Sequence, residues 1–436
     1  MTPTYDVYQQ VFSLSMMSNH LIRMKGKQDL LQRELENHLK LYLTYKGNAP
    51  SDQSVEGLIG AWTVTWGPVV FQNPGSGVAD NAMLVACSDV TFPDKTVKKM
   101  VVVAIAGTAA ESTFDWTDED GAGGGKGTAI TGVVSWADFL KTPTEIPASP
   151  PAADEAYISV GTATGLCTLL GMVDSSTTPK QTLVEHLATS EADILVVTGH
   201  SLGGALSAAL GLYLAQTGAA PGIATTYVYP TAGASPGNDV FAQTFAKVLP
   251  AVPGPVAWQS WNLDIWNTLD VVPQAWGTAD ADPTIRTLNN VNVIYGNVDR
   301  TPLPPNAVAT PADVAALSSR LLGWSQGSQV TYTPVQGASF PGQTVHFVPE
   351  RRGSLVGLPV RVPPHDSIGF AAQALYQHGM AYSDVVLAGM TPLPQDKNAL
   401  VSGVERESLT ELLNYFATLF GSASRVEEPD RVEAAE

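Results

Sequence analysis

One stretch constrains this chain more than any other: Ile194–Ala215, ILVVTGHSLGGALSAALGLYLA. A β-branched apolar run meets a glycine-flanked corner, and an Ala/Leu-rich run follows. That is strand, sharp turn, helix, with both elements apolar on all sides. A strand and helix of this kind need covered faces, which predicts a mainly parallel sheet with helices on both sides. The corner, Gly199-His200-Ser201-Leu202-Gly203, fits G-x-S-x-G. In a nucleophile elbow that turn lifts a serine hydroxyl above the sheet, and its glycines let neighbouring backbone pass close by. The competing reading is a tight turn with a capping serine. The bare pattern is weak, because a second match exists at Gly233-Ala234-Ser235-Pro236-Gly237. Chemistry separates the two. The residue after the nucleophile must offer its backbone N–H to the oxyanion; Leu202 has one and Pro236 has none.

Along the rest of the chain, strand-like and helix-like segments alternate. Residues 5–45 read as helical, with Leu30, Leu31, Leu35, Leu39 and Leu41 near one face. KKMVVVAIAG reads as a buried strand, SQVTYTPVQ and TVHFVPE as later strands, and FAAQALYQHGMAYSDVVLAG as a late helix. No internal repeat stands out. The organisation predicted is one α/β domain over 1–420. It has an N-terminal helical segment at 1–50, a glycine- and proline-rich lid or linker at 120–150 and an insertion at 275–370. Residues 421–436 read as a disordered acidic tail.

A net charge of −18 argues against a nucleic-acid partner, which calls for clustered Lys and Arg. Two cysteines, Cys87 and Cys167, are too few for a disulfide framework and read as free thiols. No apolar run reaches the roughly 18 residues of a spanning helix, and the start lacks the basic region of a signal peptide. Metal-binding spacings and nucleotide fingerprints are absent from the sequence, so no metal and no cofactor are expected.

Four blocks, in order, resemble the class 3 lipases, the fungal-lipase-like branch of the α/β-hydrolases: VVVAIAGTAAESTFDWTDED, VVTGHSLGGALSAAL, YVYPTAGASPGNDVFAQTF and WNTLDVVPQ. They span roughly 101–274. The resemblance implies an α/β-hydrolase fold with a Ser-Asp-His triad. It makes Ser201 the nucleophile, and it places the oxyanion donors at Thr108 and Leu202. Many relatives carry Phe-Arg where this chain has Ile105-Ala106, so any role of that Arg is missing. The match Asn-x-x-Asp-x-Val-Pro falls on Asn267, Asp270, Val272 and Pro273, which favours Asp270 as the acid over Asp264. Chain order leaves three histidines for the base: His346 on a strand, His365 in a loop and His378, with Tyr382 four residues on. His378 is preferred and His365 is the alternative. Asp115-Trp116 falls where the family braces its oxyanion loop. The lid is expected to present Val133, Val134, Trp136 and Phe139 as an apolar surface.

The chemistry expected is acyl transfer from a lipid ester, foremost a triacylglycerol, through an acyl-enzyme. Phospholipase A1 and soluble carboxylesterase share that machinery. A binding or scaffold protein on the same fold is the non-enzymatic alternative. The partner expected is a lipid or small ester at a lipid–water interface. Oligomeric state and compartment are not fixed by the sequence.

Overall fold

The computed structural model describes residues 3–46, 54–107, 128–148, 151–296, 310–349, 355–359, 367–388, 401–402 and 404–406. Their centre is a seven-stranded sheet whose strands stand in chain order. They are β1 (Thr63–Phe71), β2 (Asn81–Thr91), β3 (Val97–Ile105), β4 (Ala192–His200), β5 (Ile223–Thr231), β6 (Asp264–Asn267) and β7 (Gly337–Phe340). The first three pair antiparallel; β3 to β7 run parallel. The mainly parallel sheet read from the sequence is what the chain forms.

The apolar runs are continuous because both faces are buried. On β3, Met100, Val102 and Ala104 face one core while Val101, Val103 and Ile105 face the other. On β4, Ile194 and Val196 divide from Leu195 and Val197 in the same way. The first core is covered by α1 (Val7–Ser18) and α2 (Gln28–Thr44), joined by Tyr382 and Val386 from the late helix. The second lies under α3 (Val160–Gly171), α4 (Leu202–Thr217) and α5 (Asp239–Val248). The N-terminal helices therefore complete the sheet's cover and are not an appendage.

Two expectations need correction. Val133, Val134, Trp136 and Phe139 do not form an exposed surface: all are buried. Val133–Ser135 pairs with Tyr157–Ser159, Trp136 packs edge-on against Phe241, and Phe139 meets Tyr213 on α4. Their apolar spacing reflects a core contact. SQVTYTPVQ makes only a bridge, Tyr332 with Asn238, and the strand begins after it, at Gly337. The region read as an insertion thus supplies β7, the edge strand beside β6. His346 does lie on a strand, Val345–Pro349. Both cysteines are free and half-buried. Among the described residues no helix is long and apolar enough to cross a membrane. The tail at 421–436 lies outside the described residues.

Candidate active site

β4 ends at His200, and α4 begins at Leu202. Between them Ser201 sits at φ 64°, ψ −127°, a conformation that side-chain-bearing residues rarely adopt. Its amide donates to Thr231 O at 3.0 Å, which pins the turn to the end of β5. The glycines are demanded by packing. A side-chain carbon at Gly199 would lie 2.2 Å from Gly203 O, and one at Gly203 would lie 2.4 Å from Ile105 O. Ser201 is half-buried, with Leu202 at the first position of α4. The first amides of a helix have no intrahelical acceptor, and the dipole favours negative charge there. The first turn of α4 carries no acidic residue to oppose it.

Asp270 lies past the end of β6 and is fully buried. Its Oδ1 accepts the Val272 amide at 3.0 Å. Its Oδ2 accepts His378 Nδ1–H at 2.9 Å and the Tyr382 hydroxyl at 2.8 Å. The Tyr382 oxygen in turn accepts the Asn267 amide at 3.0 Å. Burial holds the Tyr382 phenol well above its ordinary range, with the Asp270 charge adding to the effect, so it remains a donor. Asn267 Nδ2 donates to Gln377 O at 3.0 Å and to Gln377 Oε1 at 2.8 Å, which fixes the backbone just before His378.

His378 sits in a wide π-helical turn, Tyr376–Met380, between α6 (Ser367–Leu375) and α7 (Ala381–Val386). Turns of this kind release backbone groups from the regular ladder. The freed carbonyl is used: His378 O accepts from His200 Nε2 at 2.6 Å. A carbonyl only accepts, so His200 carries its proton on Nε2, and its Nδ1 accepts the Thr231 hydroxyl at 2.9 Å. Burial holds His200 well below its ordinary pKa of 6.5, and the neighbouring His378 pushes the same way. The neutral ring therefore ties the elbow to the segment that bears His378, and the two imidazoles stand 4.8 Å apart. With Nδ1–H given to Asp270, His378 Nε2 is the basic nitrogen, on a side chain 20% exposed.

Asp264, the other acid considered, has a different environment. It is buried against Arg286 Nη1 and the Gly233 amide. Burial pushes its carboxyl up to about 6 against the pull of Arg286. Ser235, the serine of the second match, is 2% exposed, and its hydroxyl has no hydrogen-bond partner among the described residues. Thr108, Asp115-Trp116 and His365 lie outside the described residues. Gly107, just before Thr108, does not. A side-chain carbon there would meet His200 O at 2.7 Å and Ser201 Cβ at 3.1 Å. Its amide donates to Asn19 Oδ1 at 2.7 Å. Motif reading missed Asn19 and the link made by His200. The strand-end histidine in G-H-S-x-G and Tyr382 after His378 were visible, but their partners were not. Among the described residues no cluster of His, Cys, Asp and Glu is arranged for a metal.

Residues 128–279 match the family model Lipase (class 3). That span includes Ser201 and Asp270 and stops before His378. The crystal structure of M37 lipase superposes with a TM-score of 0.59 at 22% identity, covering 96% of this chain and 98% of that one. Nonglycosylated Yarrowia lipolytica LIP2 lipase is 17% identical over 63% of this chain and 77% of its own, with a TM-score of 0.33. A lipase from Rhizopus microsporus var. chinensis is 14% identical over 60% and 74%, with a TM-score of 0.31. No curated protein matches the sequence. The class 3 lipase resemblance read from the sequence holds over residues 128–279, on an α/β-hydrolase fold.

Proposed function

We propose that the chain is a serine ester hydrolase acting on lipid esters, with triacylglycerol as the foremost substrate class. Ser201 Oγ attacks the ester carbonyl. His378 Nε2 takes the hydroxyl proton as the C–O bond forms and gives it to the departing alcohol, leaving Ser201 acylated. Asp270 holds the tautomer and stabilises the imidazolium. The Leu202 amide at the start of α4, together with Thr108, receives the charge on the carbonyl oxygen. Water, activated by the same imidazole, then attacks the acyl-enzyme, releases the fatty acid and restores Ser201.

The observation that carries this reading is the pairing of His378 Nδ1 with buried Asp270, on a segment tied through His200 to a serine held at positive φ. A pair of this kind also occurs away from the site, at His20 and buried Glu34, so it is the pairing together with the strained serine that supports the reading. The net charge of −18 favours neutral esters over anionic phospholipids. A series of nitrophenyl esters of increasing acyl length, assayed with and without a triacylglycerol emulsion, tests the substrate class. Activity that rises with chain length and jumps at the interface supports a lipase. Activity confined to short, dissolved esters turns the reading to a soluble carboxylesterase. Preference for phosphatidylcholine vesicles turns it to phospholipase A1. No turnover of any ester leaves a binding protein.

A further inference from the structure

We infer that Asn19 is a positioning residue for the oxyanion loop. Its carboxamide oxygen fixes the backbone at Gly107, where the chain leaves β3 beside the elbow. The inference rests on the reading of Ser201 as the nucleophile. Asn19 stands at the end of α1, 88 residues from Gly107 in sequence and outside the span that matches the lipase family.

Three observations support the role. The carboxamide is held at both ends: Nδ2 donates to Ser15 O at 2.9 Å, so Oδ1 is the atom that must face the Gly107 amide. Gly107 is then confined between two walls. A side-chain carbon there would lie 3.2 Å from Asn19 Oδ1, 3.1 Å from Ser201 Cβ and 2.7 Å from His200 O. The Asn19 oxygen and the Ser201 side chain thus flank the same point, and Thr108 is the next residue. Finally, the support is rigid. α1 is closed at its start by the reciprocal Asp6–Gln9 capping box, and nine of its residues are buried, Phe12 and Leu14 among them. Gln9 Nε2 also donates to Val386 O, on the helix that follows His378. One helix therefore braces the oxyanion side and the base side together.

The residue type matters. A carboxamide accepts the Gly107 N–H without charge, whereas a carboxylate in its place would repel the oxyanion that forms at Ser201. Asn19→Ala removes the acceptor. It should lower kcat on a soluble nitrophenyl ester about ten- to a hundredfold with KM within about twofold. Fluorophosphonate labelling should slow by the same factor yet still reach full stoichiometry at Ser201. Asn19→Asp keeps shape and acceptor but loses the donor to Ser15 O when ionised and adds charge. Its kcat deficit should widen as pH rises from about 4 to 8, through the carboxyl's titration. Should Asn19→Ala not fold, the near-isosteric Asn19→Asp decides. If both variants keep wild-type kcat per labelled site and lose only melting temperature, Asn19 merely satisfies a buried amide and the inference fails. Absence of any label in the unsubstituted chain would overturn the Ser201 reading, and this inference with it.

Discussion

Gly199–Gly203 and Gly233–Gly237 spell the same pattern and sit in opposite surroundings. Both need their glycines for close passage: a side-chain carbon at Gly203 would strike Ile105 O at 2.4 Å, and one at Gly237 would strike Tyr157 O at 2.2 Å. The serines differ. Ser201 is wound to positive φ at the head of a 16-residue helix, half-buried. Ser235 is sealed inside, its amide spent on Ala275 O at 2.8 Å and its hydroxyl without a partner among the described residues. The lesson is that the glycines of G-x-S-x-G report crowded backbone. A nucleophile also needs a turn that lifts the hydroxyl out, a free amide next to it and a base within reach.

The widest separation expected is between the two serines themselves. Ser201→Ala should lower ester turnover on the order of 10⁴-fold or more. Ser235→Ala should leave turnover within about twofold. It should hold or raise the melting temperature, because a buried unpartnered hydroxyl costs about 1–3 kcal/mol. Equal losses in the two variants would erase the contrast.

The two candidate acids should divide in the same way. Asp270→Asn should cost about 10⁴ in kcat by giving His378 the wrong tautomer, with the fold retained. Asp264→Asn should strand buried Arg286 and cost about 3–5 kcal/mol of stability, with kcat per folded molecule little changed. Urea unfolding and kinetics on both variants would check it. A large kcat loss confined to Asp264→Asn would move the acid to that position.

Tyr382→Phe is a finer probe. It removes one of two donors to Asp270 Oδ2 and the acceptor of the Asn267 amide. A fall of about tenfold in kcat and about 1 kcal/mol in stability is expected, read by steady-state kinetics and denaturant midpoints.

The last contrast concerns His200 and is read in stability alone. The buried ring stays neutral where the unfolded imidazole titrates at 6.5, so below that pH the unfolded state binds more protons. Stability should therefore fall as pH drops from 6.5, by up to about 1.4 kcal/mol per pH unit from this residue. His200→Gln should flatten that limb of the melting temperature against pH curve. An unchanged slope would mean that His200 is charged in the folded protein.

How much was legible follows from how local each feature is. The elbow is written in one run of 22 letters, because strand, turn and helix are neighbours in the chain. The continuous apolar strands announced a doubly covered sheet, and the order of the blocks drew attention to Asp270. What could not be read was contact at long range. Asn19 reaches Gly107 across 88 positions, and His200 reaches the carbonyl of His378 across 178. Nothing in either local pattern marks the partner. The buried Val133, Val134, Trp136 and Phe139 show the reverse error: an apolar spacing next to glycines suggests an exposed lid until Trp136 and Phe139 are seen packed on α5 and α4 and Val133 beside Tyr157 and Tyr332.

The most direct test of the account is mass mapping of the chain after reaction with an alkyl fluorophosphonate. The account predicts a single adduct, on the peptide carrying Ser201, absent from the Ser235 peptide and formed far more slowly after His378→Ala. An unmodified Ser201, or an adduct seated on another serine, would contradict it.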